Sequence, residues 1–207
     1  MHAHEFTAAA DPFFPALFDK CFNADPRFAR WRQYRVAICL ILLAEQFPRW
    51  HRNHLCLDAL SRQIYVDTAL DRELAPAVLS GEFKLVIITG NAGDGKTAFL
   101  QQLEATAESH GASIDRSMAN GARIKLKNHT FVSNYDGSQD EGDRQNNVVL
   151  REFFAPYAGT AGAAWPRGET RLIAINEGRL VDFLTSADDE FALLRDVVLR
   201  GLTTGAP

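Results

Sequence analysis

Three apolar runs punctuate this chain, and the way each is bounded indicates what it becomes. Leu85-Val86-Ile87-Ile88 and Leu172-Ile173-Ala174-Ile175 are short, unbroken and rich in β-branched residues. Neither has the length of a helix or the alternation of a half-exposed strand, so both read as buried strands of a sheet covered on its two faces. The third run, Val36 to Ala44, is nine residues long and lies between Arg35 and Glu45. It reads as a buried helix and falls far short of the ~20 residues that a membrane span needs.

Around the strands the apolar spacing turns helical. Phe99, Leu100, Leu103 and Ala107 share one helix face, with Gly111 as the stop. Val149, Phe153 and Tyr157 share another, and Arg179 to Thr185 and Ser186 to Gly201 read as two more helices. Arg123 to Lys127 and Thr130 to Ser133 read as one strand or as a hairpin turning at Asn128-His129. Before Phe83 no alternating pattern occurs; Asp11-Pro12 and Asp25-Pro26 open helices, and two more fit residues 51–65 and 67–79, with Gly81 as a stop. The expected fold is therefore α/β: a three-layer, mostly parallel sheet over residues 81–207, preceded by an all-helical segment over residues 1–80.

The apolar run at Leu85 breaks into Gly90-Asn91-Ala92-Gly93-Asp94-Gly95-Lys96-Thr97, which fits G-x-x-x-x-G-K-[ST], and a helical pattern follows. Strand, glycine loop and helix form the context in which this motif cradles phosphate. The glycines let the backbone approach closely, the amides from Gly93 to Thr97 point inward, and the helix N-terminus adds its positive dipole end. Lys96 is placed to bridge β- and γ-phosphates, and the Thr97 hydroxyl to take one Mg²⁺ position. The four fixed letters arise by chance in roughly one sequence of this length per hundred.

Composition narrows the picture further. With 207 residues, 46% of them hydrophobic, the chain can bury a core, and a net charge of −4 argues against a globally basic nucleic-acid binder while leaving a local patch open. Cys21, Cys39 and Cys56 have no metal-ligand or disulfide spacing and suit reduced thiols in a cytosolic protein; no signal peptide or membrane segment is visible. Arg27, Arg30, Arg32 and Arg35 among Phe28, Trp31 and Tyr34 read as a solvated face over core aromatics, and His51-x-x-His54-x-Cys56 lacks a second ligand pair for zinc. Ile64 to Thr68 are candidates for a base pocket, with core packing favoured. Asn134 to Asn147 reads as an exposed, flexible acidic loop in which Asp136, Asp140, Glu141 and Asp143 do not follow a calcium-loop pattern.

Gly90 to Thr97 matches Walker A and Ile173 to Glu177 resembles Walker B, so the chain resembles the P-loop NTPase superfamily from about Phe83 to Gly201. A Glu as the second polar residue after the strand is similar to the branch with an additional strand and a catalytic Glu, which includes AAA+ and STAND-type ATPases. That resemblance implies ATP and Mg²⁺ as cofactors, with Glu177 and Lys96 catalytic, Gly90 to Ala98 around the phosphates, and Thr97 and Asn176 on the metal side. It also implies an ATPase that switches or drives an attached domain or a protein partner, with a homo-oligomer open as its assembly. The chain departs from the pattern at Asn176, where the branch carries Asp, and at Asp94, whose carboxylate is expected to face solvent or cap the helix. No apolar strand follows the last helix, so the sheet is expected to lack its central strand and the chain to be the N-terminal part of a longer ATPase. A small-molecule kinase and a nucleotide-dependent interaction protein with little hydrolysis are the alternatives.

Overall fold

The computed structural model describes residues 36–41, 70–90, 93–159 and 165–204. The described strands are β1 (Val36–Ile41), β2 (Leu85–Gly90), β3 (Ser113–Asp115), β4 (Arg123–Leu126), β5 (His129–Asn134) and β6 (Glu169–Ile175). They form one six-stranded sheet in the order β1-β2-β6-β5-β4-β3. A π-helical turn over Leu70–Leu74 leads into α1 (Ala75–Leu79); α2 (Lys96–Ser109), α3 (Asn146–Phe154), α4 (Glu177–Ser186) and α5 (Ala192–Thr204) follow. A 3₁₀ turn, Ala155–Tyr157, extends α3.

The core sits on both faces of the sheet, as unbroken apolar strands require. Alternation sends Leu85, Ile87, Ile173 and Ile175 to one face, where they pack with α3, α4 and α5 through Leu150, Phe154, Phe183 and Val197. Val86, Ile88, Leu172 and Ala174 face the other way, toward α1, α2 and the β4–β5 hairpin through Val78, Leu100, Leu103 and Phe131. Phe99, Leu100, Leu103 and Ala107 are all buried, so the helical spacing after the glycine loop marks the contact face correctly. Each fully buried Leu or Ile contributes about 1.5–3 kcal/mol of transfer free energy, and these two layers fix the ends of β2, β5 and β6 relative to one another.

Four expectations are corrected. Residues Val36–Ile41 form a strand, paired parallel with β2 from Val36↔Leu85 to Ile41↔Gly90, where a helix was expected. A short apolar run is compatible with either state, and a free edge of β2 decides for the strand. Residues 1–35 and 42–69 of the expected helical segment, with Arg27 to Arg35, His51, His54, Cys56 and Ile64 to Thr68, lie outside the described residues, while residues 70–79 are helical. The sheet is mixed and not mostly parallel, because β4 pairs antiparallel with both β5 and β3. Nor does it have a gap beside the glycine-loop strand: β6 lies directly against β2 in parallel register, Leu85↔Arg171 to Thr89↔Ile175. Beyond β6, β5 is also parallel, Thr130↔Glu169 to Asn134↔Ile173. The β4–β5 hairpin turns at Lys127-Asn128, one residue earlier than Asn128-His129, with Lys127 in the left-handed region at φ 53°.

Candidate functional site

β2, β6 and β5 run parallel, so their C-terminal ends reach one edge of the sheet, and the candidate residues collect there. Gly90 closes β2, and α2 begins at Lys96 after Gly95. Gly93 and Gly95 have φ of 95° and 80°, with nothing within 4 Å of a notional Cβ. Backbone conformation, not crowding, demands glycine at both. Asn91 and Ala92 lie outside the described residues; Gly93, Asp94 and Gly95 lead directly into α2, whose first residues are Lys96, Thr97 and Ala98. The first amides of α2 have no intrahelical acceptor and carry the positive end of the helix dipole.

Lys96 folds back, its Nζ donating to the Gly90 carbonyl at 3.0 Å. Burial lowers its pKa, and the carboxylates of Asp94 and Asp136 act in the opposite direction. Asp94 is thus an electrostatic neighbour of Lys96, half-buried, while Gly95 in a left-handed conformation opens the helix. Thr97 Oγ1 donates to the carbonyl of Tyr135 at 2.9 Å, just past the end of β5. A hydroxyl that spends its one proton in this way keeps both lone pairs for a cation.

After β6, the Thr89↔Ile175 pair brings Gly90 and Asn176 side by side at the sheet's edge. Asn176 precedes α4, its backbone N–H donates to Ser138 Oγ at 3.0 Å, and Asn176, Glu177 and Gly178 are exposed. No hydrogen bond or ion pair among the described residues orients the Glu177 carboxylate.

The end of β5 is more elaborate, and it is the part of the site that sequence reasoning missed. Asn120 clamps the backbone of Asp136, its Oδ1 accepting from Asp136 N at 3.1 Å and its Nδ2 donating to Asp136 O at 2.8 Å. The Asp136 carboxylate accepts from Ser138 N at 2.9 Å and Gln139 Nε2 at 2.6 Å. Gly137 N donates to Ala174 O of β6 at 2.7 Å. Asn146, buried at the start of α3, donates through Nδ2 to Gly137 O and Gln139 O at 2.9 and 2.7 Å. Its Oδ1 accepts from Arg179 Nε of α4, and its N–H donates to Asp140 Oδ1 at 2.6 Å. The expectation of an exposed acidic loop therefore holds at Gln139, Asp140, Gly142 to Gln145 and Asn147, but not at Asn134 to Ser138 or at Asn146. Its base is a hydrogen-bonded structure. Asp136, Asp140, Glu141 and Asp143 form no metal-holding group, nor do any other three His, Cys, Asp or Glu among the described residues.

Beneath Tyr135 lies a buried carboxyl. Glu104, two turns along α2 from Thr97, accepts from Tyr135 Oη and Ser133 Oγ, each at 2.9 Å. Burial raises its pKa against the lowering effect of those bonds and of Arg116, whose Nε stands 3.9 Å away. Ser133 Oγ also accepts from Ala122 N at 3.0 Å, so the polar residues inside β5 are paired. The sequence reads Thr130 to Ser133 as a strand but hides how it ends: Asn134 is polar, and Tyr-Asp-Gly after it gives no apolar run to read from.

The oxygen donors present fit Mg²⁺, which takes one or two protein oxygens and completes its octahedron with water and substrate phosphates. Thr97 Oγ1 and the carboxylate of Asp136, an electrostatic neighbour of Lys96, are such oxygens. A separate cleft of about 400 Å³ opens at the opposite end of the strands, beside Lys84, His129 and Arg167. No family model matches the chain, and neither a curated protein nor a solved structure matches it. Among the described residues no helix is long and apolar enough to cross a membrane.

Proposed function

We propose that this protein binds ATP with Mg²⁺ through Gly90 to Ala98 and hydrolyses it, its nucleotide state driving or switching an attached domain or a partner. One observation carries the reading: the glycine loop, Lys96 and Thr97 share the sheet edge with polar residues from the next two parallel strands, Asn176 and Glu177 after β6 and Asp136 after β5. Ligands of open α/β sheets bind at such an edge.

The strand order revises the residue roles within this proposal. In the additional-strand branch of P-loop NTPases, a strand ending in a polar residue lies between the Walker A strand and the strand bearing the metal-side acid. β6 with Asn176 suits the first description and β5 with Asp136 the second. Asp136 would then serve the Mg²⁺ side in place of Asn176, with the Thr97 hydroxyl as the other protein oxygen. Lys96 bridges the phosphates, and Glu177, one residue beyond the neighbour of β2, accepts the proton of the attacking water. Mg²⁺ supplies charge neutralisation on the β- and γ-phosphate oxygens when bound.

Titration calorimetry of the full chain with Mg-ATP tests the reading. Lys96→Ala is expected to abolish binding, and Glu177→Gln to retain binding while phosphate release stops. ATP affinity unchanged in Lys96→Ala would sink the proposal. The unoriented, exposed carboxylate of Glu177 favours a second reading, an interaction protein that binds ATP and scarcely hydrolyses it. Intact affinity with phosphate release at the buffer rate would select it.

A further inference from the structure

We propose that Glu104 is a positioning residue which, through Tyr135, sets the β5 strand end against the phosphate loop and so tunes the metal side of the site. This rests on the nucleotide–Mg²⁺ reading given above.

Tyr135 is gripped at both ends by a single helix. Its carbonyl accepts from Thr97 Oγ1 and its phenol donates to Glu104 Oε2, each at 2.9 Å. Thr97 and Glu104 are seven residues apart, hence on the same face of α2 and about 10 Å apart along its axis. Tyr135 lies along that face like a rung, and Asp136 is the next residue in the chain. Any shift of α2 relative to β5 must stretch one of the two bonds.

The chemistry of the pair makes the grip costly to lose. Glu104 is 3% exposed and Tyr135 7%, so an unpaired oxygen at either would stand without solvent. A bond to a carboxylate is stronger than one between neutral groups. Within the network Ser133 shares the same carboxyl, and Arg116 approaches it from the solvent side. A buried acid on the core-facing side of a phosphate-loop helix serves packing poorly, since Leu or Met would fill the space without desolvating a charge. Its partners give it another task. Two of them, Ser133 and Tyr135, belong to or directly follow the strand that carries Asp136, and the opposite end of the Tyr135 rung holds the hydroxyl proposed to ligate Mg²⁺.

The expected consequence is specific to the metal. Releasing the phenol removes one of the two bonds that set Tyr135 on α2, so the Thr97–carbonyl bond and the Asn120 clamp alone hold the spacing of the oxygen pair proposed for Mg²⁺, and hold it less tightly. The amides and Lys96, which bind phosphate, belong to the loop itself and are spared.

Calorimetry on the full chain separates the two effects, with ATP titrated once in excess Mg²⁺ and once in EDTA. Tyr135→Phe removes only the hydroxyl and leaves the ring and the Thr97–carbonyl bond, so it is the milder variant. Loss of one charge-assisted bond is expected to reduce the Mg²⁺-dependent gain in affinity on the order of five- to ten-fold, with affinity in EDTA within about two-fold of wild type. Glu104→Gln is expected to act in the same direction, and the double variant to lose no more than the worse single one, because both changes break one bond. Thermal unfolding followed by circular dichroism checks that the variants are folded. An unchanged Mg²⁺ gain in Tyr135→Phe, or equal losses with and without Mg²⁺, would overturn the positioning role and leave the ATP reading standing. Wild-type protein that binds no ATP under either condition would overturn both.

Discussion

The ends of β5 and β6 reach the same edge of the sheet as neighbouring strands, yet they are built in opposite ways. After β6 the chain passes through exposed Asn176 and Glu177 straight into α4, with one backbone bond to Ser138. After β5 it passes through Asp136, whose backbone Asn120 clamps on both sides, and through a loop base organised around buried Asn146. The first end is free to respond to what binds. The second is fixed before anything binds. Preorganised oxygens suit a cation, which loses water only for ligands already in place, whereas a group that must turn toward an attacking water tolerates mobility.

Breaking the rigid end should cost stability before it costs chemistry. Asn146→Ala leaves Gly137 O, Gln139 O and Arg179 Nε without their partner. It is expected to destabilise the fold by about 2–4 kcal/mol in urea unfolding, against about 0.5 kcal/mol or less for Glu177→Gln. Equal effects at the two ends would erase the contrast. Next in size, Asp136→Asn should weaken Mg-ATP binding on the order of ten-fold by removing a charge from the metal side. Asn176→Asp, by contrast, is expected to change it by less than about two-fold; a strong gain there would return the metal to the β6 end.

The smallest expected effect is on pH dependence. The folded state raises the pKa of Glu104 above its ordinary 4.5, chiefly through burial. Its neutral form is thus the one folding favours, and the stability linked to that form is complete below about pH 4.5 and is lost as pH rises through the raised value. Glu104→Gln should therefore show a shallower decline of unfolding free energy between pH 4.5 and neutrality than wild type. Parallel profiles would mean that the buried carboxyl keeps an ordinary pKa.

The legible parts of the fold were those in which apolar side chains alone decide the structure. Leu85 to Ile88, Leu172 to Ile175 and the buried face of α2 all lie where their spacing puts them. Val36 to Ile41 was not legible as a strand, because a run of that length suits either element and only the open edge of β2, remote in sequence, selects one. The end of β5 escaped for another reason. Ser133 and Asn134 are buried polar residues, and the groups that satisfy them, Glu104, Ala122 and Asn120, come from elsewhere in the chain. With Asn134 onward read as an exposed loop, β6 was given the place of the acid-bearing strand, and Asp136 was left in that loop. Local pattern reads a strand from its own residues; where it ends and what holds that end depend on partners borrowed from elsewhere in the chain.

The parallel pairing of β2 with β6 has a consequence for how the molecule comes into being. Leu85 and Arg171 are partners across roughly eighty intervening residues, so closing that ladder carries a large loop entropy that contacts of α2 with β2 do not. Topologies dominated by such distant pairs fold slowly. The glycine loop and its helix can form as a local unit during synthesis, while Asn176 and Glu177 join it only when β6 docks. Competence should therefore appear late in refolding, in step with burial of Ile173 and Ile175 and after helix α2 has gained its secondary structure.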